Sequence, residues 1–439
     1  MNLRVILFTM CSMHPDSIRD HPLRSLFIDF NSYFAAVEQH DDPGLAGRPV
    51  IVIPIDSEHT GAIAASYEAK DLGISRGTSV RDARRICPDI AIRVARHDRY
   101  VKMHKLLMTE IERHLPIVKI YSIDECACRL DRHERNAETA RAKAREIKTA
   151  LARNIGPSLR CSIGIAPSIL LAKLAAELVK PDGLTIIEYR HLPHALEDLP
   201  LRAIPGIGEG VAKRLARAGL EDFASLWKLP PKQARAIWGS VVGERFIYAL
   251  HGHDIPDEGP PQKQMIGHSR VLSPKSQSPE GARVVARALL LKAASRLRLC
   301  VLHASHLRLA IRLRPEGWFE QECVFKSTQN SWVLLRQLDS LWVSAMNTFV
   351  SLSLDRRIGL VSVSLHGLSG TGPEPDLFTL VDERAVEEKS TDLWKRIDGL
   401  NRRYKKQMVT LASQRDLDLN YLGVKIAFSR VPEMAEFDC

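Results

Sequence analysis

Apolar residues along the chain occur in short runs that alternate with longer stretches of helical spacing. The runs that are typical of buried strands cover residues 24–30, 47–55, 117–123 and 158–166. The helical stretches cover residues 31–39, 100–115, 137–155 and 168–180, and residues 61–74 begin with small residues before a helix that stops at Gly73. Asn31 or Ser32 is the expected cap of the first helix. Because strands and helices alternate, the region up to about residue 185 is predicted to form an α/β sheet domain.

The pattern changes beyond this region. A helical region is expected from about 190 to 252, and the polar, Pro-rich stretch at 256–264 predicts an extended linker. The segment LRLAIRLR at 307–314 then alternates strictly, as a strand with one buried face does. Its inward residues are expected to be Leu307, Leu309, Ile311 and Leu313, and its outward residues Arg308, Arg312 and Arg314. Residues 371–439 mix a turn, a helix at 391–406 and strand-like pieces.

The chain has 439 residues, 45% hydrophobic content and a net charge of +10. At roughly 100–200 residues per domain, this length suggests about three domains. The positive charge favours a polyanionic partner, either nucleic acid or an anionic membrane surface. No apolar stretch reaches the ~20 residues of a membrane helix, so no membrane partner is expected. The eight cysteines contain no CxxC pair, which favours reduced thiols in a cytoplasmic protein.

Three carboxylates stand at the ends of apolar runs. Asp29 ends the first run, and Asp124 with Glu125 follows the run that begins at residue 117. Carboxylate oxygens suit hard divalent cations, and acids on neighbouring strand ends could gather two of them. Neighbouring residues of a regular strand point to opposite faces, so Asp124 and Glu125 can share an ion only where the strand bends or ends. Taken singly, each acid could be a solvated turn residue.

The segment AIPGIGEGVAKRLARAGL at 203–220 resembles a helix-hairpin-helix. Its loop, with Gly206, Gly208 and Gly210, would present backbone N–H groups to a DNA phosphate, and Lys213 would add a positive charge. An ordinary glycine-rich turn is the alternative. The arginines of the 307–314 strand could contact the same duplex, or could simply form a solvated charged face.

In their order, the segments of the first 255 residues resemble the Y-family translesion DNA polymerases. The segments are DFNSYFAAVEQ (29–39), SYEAKDLGI (66–74), YSIDE (121–125), CSIGIAPSILLAKLAAELVKPDG (161–183) and IPGIGEGVAKRL (204–215). The resemblance covers residues 24–255 in register. It implies an α+β multidomain, right-hand polymerase fold. It also implies template-directed, low-fidelity addition of deoxynucleotides to a primer 3′ end opposite damaged bases.

The resemblance implies a two-metal site. Asp29, Asp124 and Glu125 match the catalytic acids, the carbonyl of Phe30 matches a further ligand, and two Mg²⁺ ions per active site are expected. In the family the two adjacent acids lie where the central hairpin of the palm is distorted. That distortion would answer the geometric objection to Asp124 and Glu125 sharing an ion.

The resemblance also assigns the nucleotide site. Phe34 matches the steric gate, the aromatic ring that excludes a 2′-hydroxyl, and Tyr33 would pack nearby. Tyr67, Lys70 and Lys180 match positions that touch the incoming triphosphate, where cations and hydrogen-bond donors suit the charge. The small residues at 61–66 would lie over the nascent base pair and leave room for a damaged template base.

Domain boundaries follow from the same resemblance. The expected parts are an N-terminal extension (1–20), a palm (21–45 and 96–185), fingers (46–95), a thumb (186–255), a linker (256–264), a little finger (265–368) and a C-terminal tail (369–439). Asn31 and Lys70 stand where many relatives carry an acid and an arginine, as in the UmuC-type branch. The AAELVKPDG segment instead resembles the DinB type, polymerase IV.

Two further features concern packing and partners. Cys126 and Cys128 directly follow the acids and are expected to change the packing beneath the metals. A disulfide between them is not expected, since alternate strand residues rarely have the geometry for one. The segment EPDLF at 374–378 resembles sliding-clamp peptides, with Leu377 and Phe378 as the anchor. The helix after it carries Leu393, Trp394, Ile397 and Leu400 on one side, for either a partner groove or local core.

The expected partners are primer-template DNA, deoxynucleoside triphosphates, a sliding clamp and mutagenesis-complex proteins, and the chain is expected to be a monomer. The sequence leaves two other functions open. One is a catalytically silent family member that serves as a DNA-binding scaffold. The other is a nucleotidyl cyclase, whose palm uses similar strands and metals, although the hairpin and the basic strand argue against it.

Overall fold

We describe a computed structural model of the chain, which divides into two compact units. The first unit holds residues 21–256 and 431–432, and the second holds residues 264–351, 357–370, 381–404 and 408–412. The N-terminal extension, most of the predicted linker, and the EPDLF segment with Leu377 and Phe378 lie outside the described residues. Within the described ranges, no helix is both long enough and apolar enough to span a bilayer.

The described residues form twelve strands and thirteen α-helices. The strands are β1 (Ser25–Phe30), β2 (Val50–Ile53), β3 (Ala64–Ala65), β4 (Ala91–Val94), β5 (Ile117–Ile120), β6 (Glu125–Arg129), β7 (Cys161–Ala166), β8 (Leu184–Ile186), β9 (Met265–Val271), β10 (Ala304–Leu313), β11 (Trp318–Thr328) and β12 (Ile358–His366). The helices are α1 (Tyr33–Asp41), α2 (Tyr67–Asp71), α3 (Val80–Ile86), α4 (His97–Glu112), α5 (Ala137–Asn154), α6 (Ile169–Leu178), α7 (Glu209–Arg217), α8 (Phe223–Trp227), α9 (Pro231–Trp238), α10 (Val241–Leu250), α11 (Pro279–Leu299), α12 (Ser331–Ser351) and α13 (Val381–Arg403).

The main sheet of the first unit has the strand order β5-β6-β1-β7-β8. Its central strand β1 pairs antiparallel with β6 and with β7, and every residue of β1 is buried. Helix α6 packs directly on one face of the sheet. A Cβ atom at Gly164 would lie 2.0 Å from the carbonyl oxygen of Ala172, so only glycine allows this close approach. The acid-bearing strands are therefore central, and α6 covers them.

Residues 46–95 form a separate three-stranded sheet with the order β3-β2-β4. The neighbouring helices α2 and α3 begin at Ser66 and Ser79, whose hydroxyls accept the capping hydrogen bonds. Helices α7–α10 follow the main sheet, and their apolar residues share one buried cluster with α6. The helices and strands of the first unit confirm the predicted alternation.

The second unit contains a four-stranded antiparallel sheet with the order β11-β10-β12-β9. The prediction for β10 is confirmed, because its four inward residues are buried in a core with α11 and α12: Leu307, Leu309, Ile311 and Leu313. Helix α13 packs against α11 and α12. Of the apolar residues expected on one side of α13, Trp394 is buried, whereas Leu393 and Leu400 are exposed.

Two local predictions were wrong. The strand expected at 117–123 ends at Ile120, and the apolar residue Ile123 is buried in the turn that follows. Ser32 occupies the cap position of α1, but its backbone is left-handed (φ 50°) and its side chain makes no capping hydrogen bond. Strand β1 therefore meets α1 through a tight corner, without side-chain capping.

Candidate active site

Three carboxylates converge on the face of the main sheet that α6 covers. Asp29 and Glu125 are register partners across the β1–β6 pair, so their side chains lie on the same face. Glu177, in the last turns of α6, approaches from above. Oxygen atoms of all three side chains lie within 4.8 Å of one another. The sheet thus brings together two of the acids predicted as ligands, and the helix adds a third.

Asp124 lies in the turn between β5 and β6, and Glu125 begins β6. The Asp124 carboxylate accepts a short hydrogen bond from the Ser122 hydroxyl. Its backbone carbonyl accepts from the Phe30 N–H at 2.8 Å, which holds the turn beside the end of β1. Because the strand does not continue through Asp124, the alternation of a regular strand does not apply. The geometric objection is removed, although Asp124 lies outside the group of Asp29, Glu125 and Glu177.

Two lysines carried by α6 and the turn after it neutralise these acids. The Lys180 ammonium lies 3.0 Å from the Asp29 carboxylate and 2.8 Å from that of Glu177. Lys173 lies 2.7 Å from the Glu125 carboxylate and sits over the ring of Phe27. The two ammonium groups thus lie among the carboxylates and offset their mutual repulsion.

Burial dominates the electrostatics of the site. It raises the pKa of Asp29 to about 7, although the neighbouring Lys180 opposes the shift. Burial also raises the pKa of Asp124, with a further contribution from the charge of Glu125. Close, buried carboxylates destabilise one another unless a positive charge lies between them. Lys173 and Lys180 supply this positive charge in the structure, and a divalent cation could supply it in their place.

The side chains present fit a divalent metal. The donor set consists of carboxylate oxygens, which are the ligands that Mg²⁺ and similar hard cations prefer. Asp29 is buried, and the one ion pair described for its carboxylate is with Lys180. Asp29, Glu125 and Glu177 could hold such an ion directly, and Asp124 lies close enough to shift the pKa of Asp29.

The aromatic residues at the start of α1 lie beside the acids. The Phe34 ring stacks on the Tyr100 ring with centroids 4.5 Å apart and an interplanar angle of 17°. Tyr33 is buried, and its hydroxyl donates to the Tyr100 carbonyl at 2.7 Å. The Tyr100 hydroxyl in turn donates to Glu38 at 2.7 Å, and Arg96 clamps Glu38 with two hydrogen bonds. This network fixes the plane of the Phe34 ring.

Tyr67, Lys70 and Lys180 form a cationic group next to Asp29. The Lys70 ammonium lies 4.2 Å from the centre of the Tyr67 ring. Burial lowers the pKa of Lys70, and the nearby charge of Lys180 lowers it further. Two ammonium groups that repel each other gain stability from an anion bound between them. Their placement therefore suits a triphosphate.

The cysteines next to the acids are buried and reduced. Cys126 and Cys128 lie in β6, and Cys161 lies in β7. A hydrogen bond with Cys128, together with burial, raises the pKa of the Cys126 thiol. The Cys126 thiol therefore stays protonated near neutral pH and contributes packing under the site, not thiolate chemistry.

The predicted hairpin residues lie at the start of α7. Gly206 has a left-handed backbone (φ +96°) and Gly208 is the N-cap of the helix, so the first amides of α7 point out of its end. Gly210 lies in the exposed first turn. Lys213 forms an exposed ion pair with Glu209 at 2.7 Å, which offsets part of its charge.

The three arginines of the predicted 307–314 strand, two in β10 and Arg314 directly after it, differ in their surroundings. Arg308 forms ion pairs with Glu320 at 3.2 Å and Glu322 at 3.0 Å on the neighbouring strand. Arg312 and Arg314 line a surface cavity of about 520 Å³, and among the described residues neither has a carboxylate partner. The structure thus leaves Arg312 and Arg314 available to an anion, whereas Arg308 is engaged.

Sequence reasoning missed Glu177, Lys173 and Tyr100. Lys173 and Glu177 lie one turn apart on α6, and Lys180 follows Glu177 by three residues in the turn after the helix; this spacing was a usable signal. Tyr100 carried no such signal, because 66 residues separate it from Phe34. Only the tertiary fold brings these two rings together.

Comparison with known proteins identifies relatives for most of the chain. The model of the impB/mucB/samB family matches residues 28–177. A DNA polymerase IV from Moorella thermoacetica is 31% identical over 379 residues, which cover 84% of this chain and 91% of the relative. A DNA polymerase IV from Bacillus velezensis is 28% identical over 87% of this chain and 91% of its own length.

Solved structures agree on the fold. The Y-family DNA polymerase chimera Dbh-Dpo4(243-245)-Dbh aligns with a TM-score of 0.63 at 22% identity, over 79% of this chain and 99% of the chimera. The insertion ternary complex of Dbh DNA polymerase aligns with a TM-score of 0.50 at 22% identity, over 78% of this chain and 98% of that chain. The predicted fold class is confirmed. The chain belongs to the Y-family of DNA-directed DNA polymerases, within the group of DNA polymerase IV proteins.

Proposed function

We propose that this protein extends primer-template DNA opposite damaged bases, with Asp29, Asp124 and Glu125 as the ligands of two Mg²⁺ ions and the Phe30 carbonyl as a further ligand. The convergence of buried Asp29 with Glu125, with Asp124 in the adjoining turn, beside a cationic, aromatic-walled nucleotide site carries the proposal. The DNA polymerase IV relatives support translesion synthesis as the activity. Mg²⁺ bound there would activate the primer hydroxyl and neutralise the charge of the transferring phosphoryl group.

The residues of the chain itself bind and orient the substrate. Lys70 and Lys180 hold oxygen atoms of the triphosphate, and the Tyr67 hydroxyl donates a hydrogen bond to it. In the structure the Lys180 ammonium is paired with Asp29 and Glu177. With Asp29 engaged by a metal ion, Lys180 would be available to the triphosphate, so the same lysine could neutralise the acids in the free protein and contact the nucleotide in the complex.

The test of this function is primer extension on templates with and without a lesion. We expect Mg²⁺-dependent extension whose product follows the template sequence and continues across the lesion. Incubation with ATP or GTP without DNA should yield no cyclic product. DNA binding without incorporation on either template would identify a silent scaffold and contradict the proposal. Extension that proceeds on undamaged template but stops at every lesion would contradict translesion synthesis and leave the polymerase activity in place.

Replacing the steric gate should relax sugar discrimination. We expect Phe34→Ala to raise the ratio of ribonucleotide to deoxynucleotide incorporation by about 100-fold or more, because the stacked Phe34 ring no longer occupies the space of a 2′-hydroxyl. Single-nucleotide insertion with paired dNTP and rNTP substrates measures this ratio. The conservative control is Phe34→Tyr, which keeps the ring. Equal losses for both sugars in Phe34→Ala would contradict the steric role.

Arg308 and Arg312 of β10, and Arg314 directly after it, should differ in their contribution to DNA binding. The salt dependence is the slope of the logarithm of the DNA-binding constant against the logarithm of the salt concentration. We expect Arg312→Ala and Arg314→Ala each to make this slope shallower by about one unit, because one fewer phosphate is neutralised. Arg308→Ala should have a smaller effect, because Glu320 and Glu322 already offset its charge. Binding titrations over a range of salt concentrations measure these slopes. Equal slopes for the wild type and all three variants would place the DNA elsewhere.

The remaining assignments extend the same proposal. We assign residues 21–45 and 96–185 to the palm, 46–95 to the fingers, 186–255 to the thumb and 265–368 to the little finger. The start of α7, with Gly206, Gly208, Gly210 and Lys213, would hold a DNA phosphate. Leu377 and Phe378 would contact a sliding clamp. A cytoplasmic monomer that also contacts mutagenesis-complex proteins fits these roles.

A further inference from the structure

The turn that carries Lys180 is held by two buried side chains of the main sheet. This turn covers residues 179–183 and follows α6 directly. The Asn31 side-chain oxygen accepts a hydrogen bond from the Asp182 N–H at 2.7 Å. The Ser162 hydroxyl accepts from the Gly183 N–H at 3.2 Å and donates to the Val179 carbonyl at 3.0 Å. Both ends of the turn are therefore tied to the sheet.

Asn31 and Ser162 also bind each other, and together we call them the turn bracket. The Asn31 side-chain nitrogen donates to the Ser162 hydroxyl at 3.2 Å. Asn31 is 5% exposed and Ser162 is fully buried, so water does not replace these hydrogen bonds. Ser162 is the register partner of Asp29, and Asn31 follows Asp29 by two residues. The bracket therefore lies directly after β1 and within β7, next to Asp29.

The turn has little freedom once it is held. Asp182 adopts a left-handed backbone (φ 60°), and a Cβ atom at Gly183 would lie 2.0 Å from the Val179 carbonyl oxygen. From the outer side, the Lys148 ammonium lies 2.7 Å from the Asp182 carboxylate. Lys148 is on α5, so this helix and the main sheet both hold the turn. These restraints hold the backbone of Lys180 in a narrow range of positions.

We propose that Asn31 and Ser162 are positioning residues that hold Lys180 where it contacts the triphosphate of the incoming nucleotide. The inference rests on the nucleotide role of Lys180 in the proposed function. Neither bracket residue touches the nucleotide. They act through the backbone of residues 179–183, which sets the reach of the Lys180 ammonium from Asp29 and Glu177 towards the substrate.

The chemistry of an amide explains why asparagine suits position 31. Its side chain donates to Ser162 and accepts from the Asp182 N–H at the same time. A carboxylate offers acceptors only, so it would compete for the single Ser162 proton that now serves the Val179 carbonyl. It would also add a negative charge beside Asp29 and hold Lys180 back from the substrate. Asparagine provides the bracket without that charge.

The test compares Asn31→Ala and Ser162→Ala with the control Ser168→Ala. Ser168 is also a buried serine, but it caps the opposite end of α6 and donates to Ala249 at 2.6 Å. Two readouts apply to the full chain. Hydrogen exchange of residues 179–183 reports on the bracket without any activity. Steady-state primer extension reports KM for the dNTP and kcat separately.

We expect hydrogen exchange in the turn to accelerate about tenfold in both bracket variants and to stay unchanged in Ser168→Ala. KM for the dNTP should rise about tenfold with kcat changed by less than about threefold, because Lys180 binds the triphosphate before and during the chemical step. In a Lys180→Ala background, the bracket substitutions should add no further rise in KM. A purely structural role would lower the active fraction, and hence kcat, while KM stayed constant.

The outcomes separate the inference from the proposed function. Turn exchange unchanged in both bracket variants would overturn the bracket, whatever the activity. Equal increases in KM with and without Lys180 would also overturn it, since the effect would then not pass through that lysine. A wild-type protein that fails to extend primers, yet shows accelerated turn exchange in the two variants, would refute the proposed function and leave the bracket confirmed as a structural element.

Discussion

Asp29→Asn should abolish primer extension without destabilising the fold. Asp29 is the most buried acid of the site and the register partner of Glu125, so every ion shared between β1 and β6 depends on its charge. Asparagine keeps the shape but lacks the negative charge that a divalent cation requires. We expect kcat to fall by at least about a thousandfold, since the electrostatic stabilisation of the transferring phosphoryl group is lost.

The Asp29→Asn variant should be at least as stable as the wild type. The folded-state pKa of Asp29 is raised from 3.8 to about 7, mainly by burial. An acid with a raised folded-state pKa lowers the free energy of unfolding as pH rises from its unfolded value through its folded value. At neutral pH the Asp29 charge therefore destabilises the protein, and Asp29→Asn should unfold at an equal or higher temperature than wild type.

Two measurements on the same preparations separate these effects. Primer extension gives kcat, and thermal unfolding gives the midpoint temperature. The exposed acid Glu138, in the first turn of α5, provides the control Glu138→Gln, which should match the wild type in both. An Asp29→Asn enzyme that keeps a tenth of its activity would show that this carboxylate is dispensable. A strongly lowered midpoint would show that Asp29 is structural.

Asp398→Ala should destabilise the second unit by about 3 kcal/mol or more, because it leaves a buried guanidinium without its counter-charge. Arg298 of α11 forms a two-bonded ion pair with Asp398 of α13, at 2.7 and 3.1 Å. The side chains are 3% and 11% exposed, so water scarcely screens the pair. Arg298 also donates to the Gln329 carbonyl and to the Ser331 hydroxyl, which ties α13 to the start of α12.

The side of α13 that carries Trp394 forms local core and not a free groove-binding surface. Trp394 packs against Trp332 with ring centroids 5.1 Å apart, so this side of α13 belongs to the local core. The matched control is Asp392→Ala on the same helix, where an exposed pair with Lys395 is worth at most about 1 kcal/mol. Urea unfolding followed by tryptophan fluorescence measures both variants. Equal midpoints would mean that α13 does not stabilise the unit.

The strands and helices could largely be predicted from the sequence, because buried apolar runs and helical spacing leave a strong local pattern. The pattern failed at Ile123, which is apolar because it packs inward from a turn, and not because it belongs to a strand. Its carbonyl instead accepts from His104 at 2.8 Å. Apolar spacing reports burial, and a buried turn residue looks like the end of a strand.

The site was predictable where it depends on local motifs and not where it depends on tertiary contacts. Asp29 and Glu125 were identified from their segments, and the sheet does bring their carboxylates together. Glu177 carried a signal in its spacing from Lys173 and Lys180, but its position beside Asp29 depends on the packing of α6 over β1. The same holds for the turn bracket, where 131 residues separate Asn31 from Ser162.

The number of divalent ions held by the acid site tests the central claim most directly. Mn²⁺ can replace Mg²⁺ at carboxylate sites and is counted by electron paramagnetic resonance. With primer-template DNA and a non-hydrolysable dNTP, we expect two Mn²⁺ ions per wild-type molecule. Asp29→Asn should lose at least one of them, and Glu138→Gln should lose none. Wild-type protein that binds no Mn²⁺ under these conditions, or an Asp29→Asn variant that binds both ions with unchanged affinity, would contradict the account.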